Sequence, residues 1–208
     1  MKKILIIAVA LISFSGIGQS KYKEGMTKAF DLWKSEKHWE AANLFERIGQ
    51  VEMDNWLPPF YVAQINVIYS FGEKDEKALT AQLNKAQDFI NDAKAISKNN
   101  SEILVVQAQL YTAWVAFDGQ RYGMTYSQKI AQLYNEAYIL EPGNPRVASG
   151  KVEWDMGTAR FFGQDTAPFC EDLAKAVELF TTYEPKGDFY PQGGEEYARG
   201  SLARNCKE

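Results

Sequence analysis

The chain has 208 residues, 23 of them Lys or Arg and 27 Asp or Glu, for a net charge of −4. A mildly acidic chain without long runs of like charge is a poor partner for nucleic acid or an anionic membrane surface. The length suits one domain with a sizeable core, and one histidine with two cysteines is too few for a standard zinc site.

The first residues carry an export pattern. Lys2 and Lys3 precede an unbroken apolar run from Ile4 to Ile12, and small residues follow, with Gly16 and Gly18 placed for a cut before Gln19. That order reads as a secretory signal peptide over residues 1–18. The apolar run is far shorter than the roughly 20 residues a bilayer requires. No cysteine lies near the cut to carry a lipid. The expectation is a mature domain over residues 19–208, periplasmic or secreted, with no stable membrane insertion after cleavage.

From there, apolar residues recur at helical spacing and no long stretch alternates with period two. Met26, Ala29, Phe30 and Trp33 mark a first helix, and Ala41, Leu44, Phe45 and Ile48 a second. Pro58 and Pro59 open a third through Phe60, Ile65 and Ile68. Leu79, Leu83, Ala86, Ile90 and Ala93 form a long fourth stripe. Asn99, Asn100 and Ser101 supply a turn and cap before Ile103, Ala108, Tyr111 and Val115. Asp118 to Thr125, with two glycines, is expected to be a loop. Ile130, Tyr134, Ala137 and Leu140 resume the pattern, which Glu141-Pro142-Gly143 stops. Asn144 caps the next helix with Pro145 at its first position. Asp165 or Thr166 caps the helix holding Leu173, Ala176 and Phe180. A Pro/Gly-rich loop over 185–194 precedes a short last helix.

The second helices repeat a pattern. Ala41-x3-Phe45, Ala86-x3-Ile90, Ile130-x3-Tyr134 and Ala176-x3-Phe180 start about 45 residues apart. A small or aliphatic residue lets helices approach, and a larger one four places on fills the gap to the next pair. The predicted fold is all-α, a stacked array of about four helix pairs with a C-terminal capping helix.

The segments Tyr134-x2-Ala137-x4-Pro142 and Ala41-x3-Phe45 resemble parts of the tetratricopeptide repeat, although the period is longer than its 34 residues. Trp56-Leu57-Pro58-Pro59-Phe60-Tyr61, Arg121-Tyr122-Gly123-Met124, Pro142-Gly143-Asn144-Pro145-Arg146 and Phe161-Phe162-Gly163 resemble segments of a family of exported bacterial tetratricopeptide-like proteins, mostly uncharacterised. The resemblance spans nearly the whole mature chain. It implies a periplasmic or secreted helical-repeat scaffold and transfers no catalytic residue. Members of that family often carry Trp-Gly where this chain has Gly193-Gly194.

Catalytic patterns are missing from the sequence. There is no nucleophile elbow, P-loop or EF-hand pattern. Adjacent acids such as Glu195 and Glu196 face different directions on a helix. His38 reads as a half-buried packing residue. No catalytic residue, metal ligand or cofactor is therefore assigned. Candidate binding residues on the first helices of each pair are Gln64, Gln107, Tyr111, Trp114, Glu153 and Arg160. Arg121, Asn144 and Arg146 sit beside turns and read as structural loop residues, Arg also being able to meet a carboxylate or phosphate. Cys170 and Cys206 could close a disulfide if their helices run antiparallel, worth on the order of 4 kcal/mol for such a loop. Asp165-Thr166-Ala167 matches a short bacterial O-glycosylation acceptor at Thr166, although helix capping explains it too. The functional expectation is a non-enzymatic scaffold, monomeric when alone, that binds a protein or peptide partner through a concave face. The alternative is a glycan or small-ligand binder that uses groove aromatics.

Overall fold

A computed structural model describes residues 19–206; the predicted signal peptide, residues 1–18, lies outside them. The described residues are helical throughout, with no strand. Helix α1 covers residues 19–34. It is followed by α2 (His38–Val51), α3 (Leu57–Ile68), α4 (Glu76–Ile96), α5 (Ser101–Phe117), α6 (Gly119–Leu140), α7 (Pro145–Phe161), α8 (Cys170–Thr182) and α9 (Glu195–Asn205). A 3-10 turn, Ala167–Phe169, leads into α8. From α2 onward each helix packs on the next, and α3, α5 and α7 also touch in sequence. The result is the expected array of neighbouring helix pairs.

The repeated stripes face inward. Ala41 and Phe45 of α2, Ala86 and Ile90 of α4, Ile130 and Tyr134 of α6, and Ala176 of α8 are all buried. Close approach needs small residues. Gly150 of α7 is one: a Cβ there would stand 2.7 Å from the ring of Tyr134. Helix starts are capped where the sequence offers a short polar side chain. Asp75 accepts from Ala78 N at 2.7 Å, Asn100 from Glu102 N at 3.0 Å and Asn144 from Arg146 N at 3.0 Å. Asp165 Oδ1 accepts from Ala167 N at 3.0 Å just ahead of the 3-10 turn, but neither that turn, with Thr166 at its N-cap, nor α8 has a side-chain cap.

One predicted loop is a helix. Asp118 accepts from the backbone N–H groups of Gln120 and Arg121, so α6 begins at Gly119 rather than after Thr125. The two glycines are tolerated because the cap and the packing farther along outweigh their roughly 1 kcal/mol propensity cost. Arg121 is accordingly a first-turn residue, not a loop residue. It is exposed and pairs with Glu76 of α4 at 2.6 Å. Arg146 is likewise inside α7. It is buried and holds Glu102 of α5 through Nε at 2.9 Å to each carboxylate oxygen. Asn144 also donates to Glu102, at 2.6 Å.

The segment after α8 runs back over the array as a strap. The Arg146 guanidinium lies 4.7 Å from the Tyr183 ring centre, and Lys186 pairs with Glu141 at 2.7 Å. Farther along, Tyr61 of α3 donates to the Phe189 carbonyl at 2.6 Å, and the Phe189 ring stacks on Phe30 of α1 at 5.8 Å. Tyr190 packs edge-on against Trp56 at 5.6 Å, and Asp188 pairs with Lys23 at 3.0 Å. Phe189 holds a left-handed backbone (φ 60) to make this crossing. Its side-chain contacts over-determine a conformation that costs a non-glycine residue on the order of 1 kcal/mol. Behind the strap, Cys170 and Cys206 are bonded, with Cα atoms 5.6 Å apart, tying α9 to the start of α8.

Candidate functional site

The sequence candidates fall into separate places. Gln107, Tyr111 and Trp114 occupy positions i, i+4 and i+7 of α5 and so share one face. Gln107 is committed to Gln87 of α4 by reciprocal amide bonds of 2.9 and 2.8 Å. Tyr111 stacks on Tyr126 of α6 at 4.8 Å with an interplanar angle of 12°, and Trp114 leans on Tyr122 at 4.9 Å. Lys129 Nζ stands 5.6 Å from the Tyr126 ring centre. This aromatic stripe closes the α5–α6 seam, and the faces of its rings are largely turned on each other. Gln64 is half-buried on α3 and joins none of these groups.

Glu153 and Arg160 do come together. Glu153, Met156, Gly157 and Arg160 lie at i, i+3, i+4 and i+7 of α7, and Tyr197, Ser201, Arg204 and Asn205 lie at i, i+4, i+7 and i+8 of α9. Each set is one helix face. Where a repeat would press two apolar stripes together, these two are mostly polar, and a cleft of about 170 Å³ remains between them. Burial pushes the Glu153 carboxyl up to about 7, with a Ser201 hydrogen bond and the Arg204 charge offsetting part of the rise. Its Oε1 is buried without a hydrogen-bond partner among the described residues. Arg160 Nη2 donates to Asn205 Oδ1 at 2.8 Å. Arg204 folds over Gly200, where a Cβ would stand 3.0 Å from its Nη1.

Next to the cleft is an apolar ledge. Phe161 and Phe162 follow Arg160 directly and are 65% and 67% exposed, their rings edge-to-face at 5.3 Å. The Phe161 ring reaches the start of α6, 3.4 Å from where a Gly119 Cβ would lie. One turn on, Gly123 has open space, as does Gly157 of α7. Met124 is 97% exposed, and Tyr197 at the cleft is 66% exposed. The segment 161–163 thus forms the ledge against the first residue of α6, whereas Arg121 and Tyr122 of the segment 121–124 turn toward Glu76 and Trp114. The segments 56–61 and 142–146 instead hold the strap, through Trp56, Tyr61 and Arg146. Of the four singled-out segments, only 161–163 is left largely open to solvent.

Sequence reasoning missed Glu102, the ledge and the strap. Glu102 had one available signal. Asn100 and Glu102 stand one repeat before Asn144 and Arg146, so equivalent helix starts meet across neighbouring pairs. The ledge had another, since two adjacent phenylalanines at the end of an amphipathic helix cannot both face the core. The strap had none, because its contacts follow no period. Thr166 is half-buried immediately before the 3-10 turn.

No protein-family model and no curated protein matches the chain. Among solved structures, the HusA haemophore from Porphyromonas gingivalis is similar, with a TM-score of 0.75 and 23% sequence identity over 90% of this chain and 95% of that one. At that identity the likeness shows a shared helical fold.

Proposed function

We propose that this chain is an exported, non-enzymatic carrier of a flat, mostly apolar small molecule with acidic groups, a tetrapyrrole such as haem being the class that fits. The observation that carries this reading is the exposed Phe161–Phe162 ledge set beside a cleft bearing Arg160 and Arg204. A folded domain seldom leaves adjacent large aromatics this open unless something covers them. Aromatic edges and faces, with glycines that let a plane lie close, suit a ring system. Guanidinium groups at the border suit its carboxylates. The fold shared with a haemophore supports a binding role. The α5–α6 stripe is the weaker platform, because Tyr111, Tyr126, Tyr122 and Trp114 already cover one another. That also lowers the case for a glycan stacked there.

The test is an absorbance titration of the mature chain with haem and with metal-free protoporphyrin. Saturable binding is expected, weakened at least about tenfold by the double substitution Phe161→Ala/Phe162→Ala, since a few kcal/mol of apolar contact is lost. Binding that ignores the double substitution, or no binding at all, would discard this reading.

A protein or peptide partner is the second reading. It draws on other apolar side chains in solvent, Val51 at 77%, Met53 at 73% and Ile139 at 80% exposed. The strap counts against the face of α1 and α3 as a peptide groove, because the chain's own residues 183–191 lie across it. Crosslinking in intact cells, read at Val51 and Ile139 positions, would reveal such a partner.

A further inference from the structure

We propose that the cleft between α7 and α9 is a carboxylate-binding subsite that takes a single acidic arm between Arg160 and Arg204. The identity of the whole ligand rests on the reading above; the subsite itself stands on its own geometry.

Size comes first. Pockets for whole drug-sized ligands run to about 300–1,000 Å³. A cleft of about 170 Å³ is too small for a tetrapyrrole ring and large enough for a short acid side arm. The ring would then remain outside, on the phenylalanine ledge, which begins at the very next residue after Arg160.

Charge comes next. Among the described residues, neither Arg160 nor Arg204 has a salt-bridge partner, although other arginines of the chain do. Arg160 has spent one donor on Asn205, so most of its planar fork stays free. Gly200 leaves room for Arg204 to lie back along α9 rather than extend into water. The one acid in the cleft, Glu153, is sunk into the α7 wall with Oε1 out of solvent. Burial favours its neutral form, which limits repulsion of an incoming carboxylate. On the facing α9 wall, Asn205 donates to Ser201 at 3.2 Å and accepts from Arg160 at 2.8 Å, which holds the Arg160 fork at the cleft. Two guanidinium forks match the planar, bidentate geometry of a carboxylate.

The experiment titrates the mature chain with sodium propionate, followed by two-dimensional amide NMR at fixed ionic strength. Propionamide and inorganic phosphate serve as comparison ligands. Expected are saturable shifts confined to α7 and α9 with propionate, no such shifts with propionamide, and weaker ones with phosphate. The double variant Arg160→Gln/Arg204→Gln should weaken propionate binding at least tenfold. Gly200→Ala should weaken it severalfold by forcing Arg204 to move. Both arginines are exposed, so the double variant should keep the parent melting temperature, which is checked first. Equal responses to propionate and propionamide, tighter binding of phosphate, or no saturable shift would each overturn the subsite. The two proposals separate cleanly. Propionate binding without porphyrin binding leaves the subsite standing and removes the tetrapyrrole. Equal binding of protoporphyrin and its dimethyl ester, with no response to propionate, does the reverse.

Discussion

Helices α1 to α5 and helices α7 to α9 are held together by different means. The first region shares one continuous apolar cluster, from Met26 and Ala29 through Phe45, Phe60, Ile65, Leu83 and Ile90 to Val106 and Leu110. Aromatic rings knit it, with Phe30, Phe45 and Tyr61 in mutual contact and Phe60 edge-on to Tyr61. The last region buries fewer large side chains, Met156 and Leu173 among Ala159, Ala176, Val177 and Ala198, and has no aromatic cluster among them; a disulfide ties α8 to α9, and a buried ion pair ties α7 to Glu102 of α5. The difference shows what happens where a stack ends. A middle pair is covered on both sides by other pairs. The final pair lacks one neighbour, and specific links replace the missing apolar cover. Those links also leave polar walls facing each other, which is where the cleft forms.

The two regions should respond differently to substitution. The largest effect is expected from Phe45→Ala, whose fully buried ring leaves a cavity: about 3–5 kcal/mol lost in chemical denaturation, in a single transition. A small loss would mean that the first region is not one core. Glu102→Leu should cost about as much, roughly 3–5 kcal/mol, because it strands the buried Arg146 charge. The double replacement Glu102→Leu/Arg146→Met should recover most of that loss. If it does not, the pair contributes more than mutual neutralisation.

Replacing Cys170 and Cys206 with serine should cost about 2–4 kcal/mol. Hydrogen exchange should then speed up in α9 while α1 to α5 stay protected, which is the sharpest test of regional difference. Glu153→Gln works in the opposite direction. The folded carboxyl keeps its proton to about pH 7, against 4.5 for an unperturbed group. The wild-type protein therefore loses stability as the pH rises between those values, and the loss is complete above 7. The glutamine variant should be more stable by about 1–2 kcal/mol at pH 8 and no different near pH 4, read from urea midpoints. The smallest effect belongs to Arg121→Ala, under about 1 kcal/mol, since its pairing with Glu76 is solvent-exposed.

Much of this fold was legible because its interior is periodic. Stripes such as Leu79-Leu83-Ala86-Ile90 can be read without neighbours, and Asn100 and Asn144 announce helix starts. Residues 118–125 misled because glycine content signals a turn, while the deciding hydrogen bonds come from a single aspartate one place earlier. The site was only partly readable. Glu153 and Arg160 stand seven places apart on one helix, so their common face follows from spacing. Their partners on α9 depend on how the last helix docks, which no local pattern encodes. Tyr111 and Trp114 were sensible candidates by chemistry, yet tertiary packing turned them against other rings.

The strap has a consequence for how the chain folds. Most contacts in such an array join helices adjacent in sequence, and proteins of that kind fold quickly and can fray from either end. The Lys23–Asp188 pair joins residues 165 positions apart. With Phe189 seated on Phe30, the segment between α8 and α9 fastens onto the first helix. The array then behaves as a closed belt, in which loosening one end requires releasing the other. Its completion waits on a long-range search, a slow final step that leaves the finished protein resistant to unzipping.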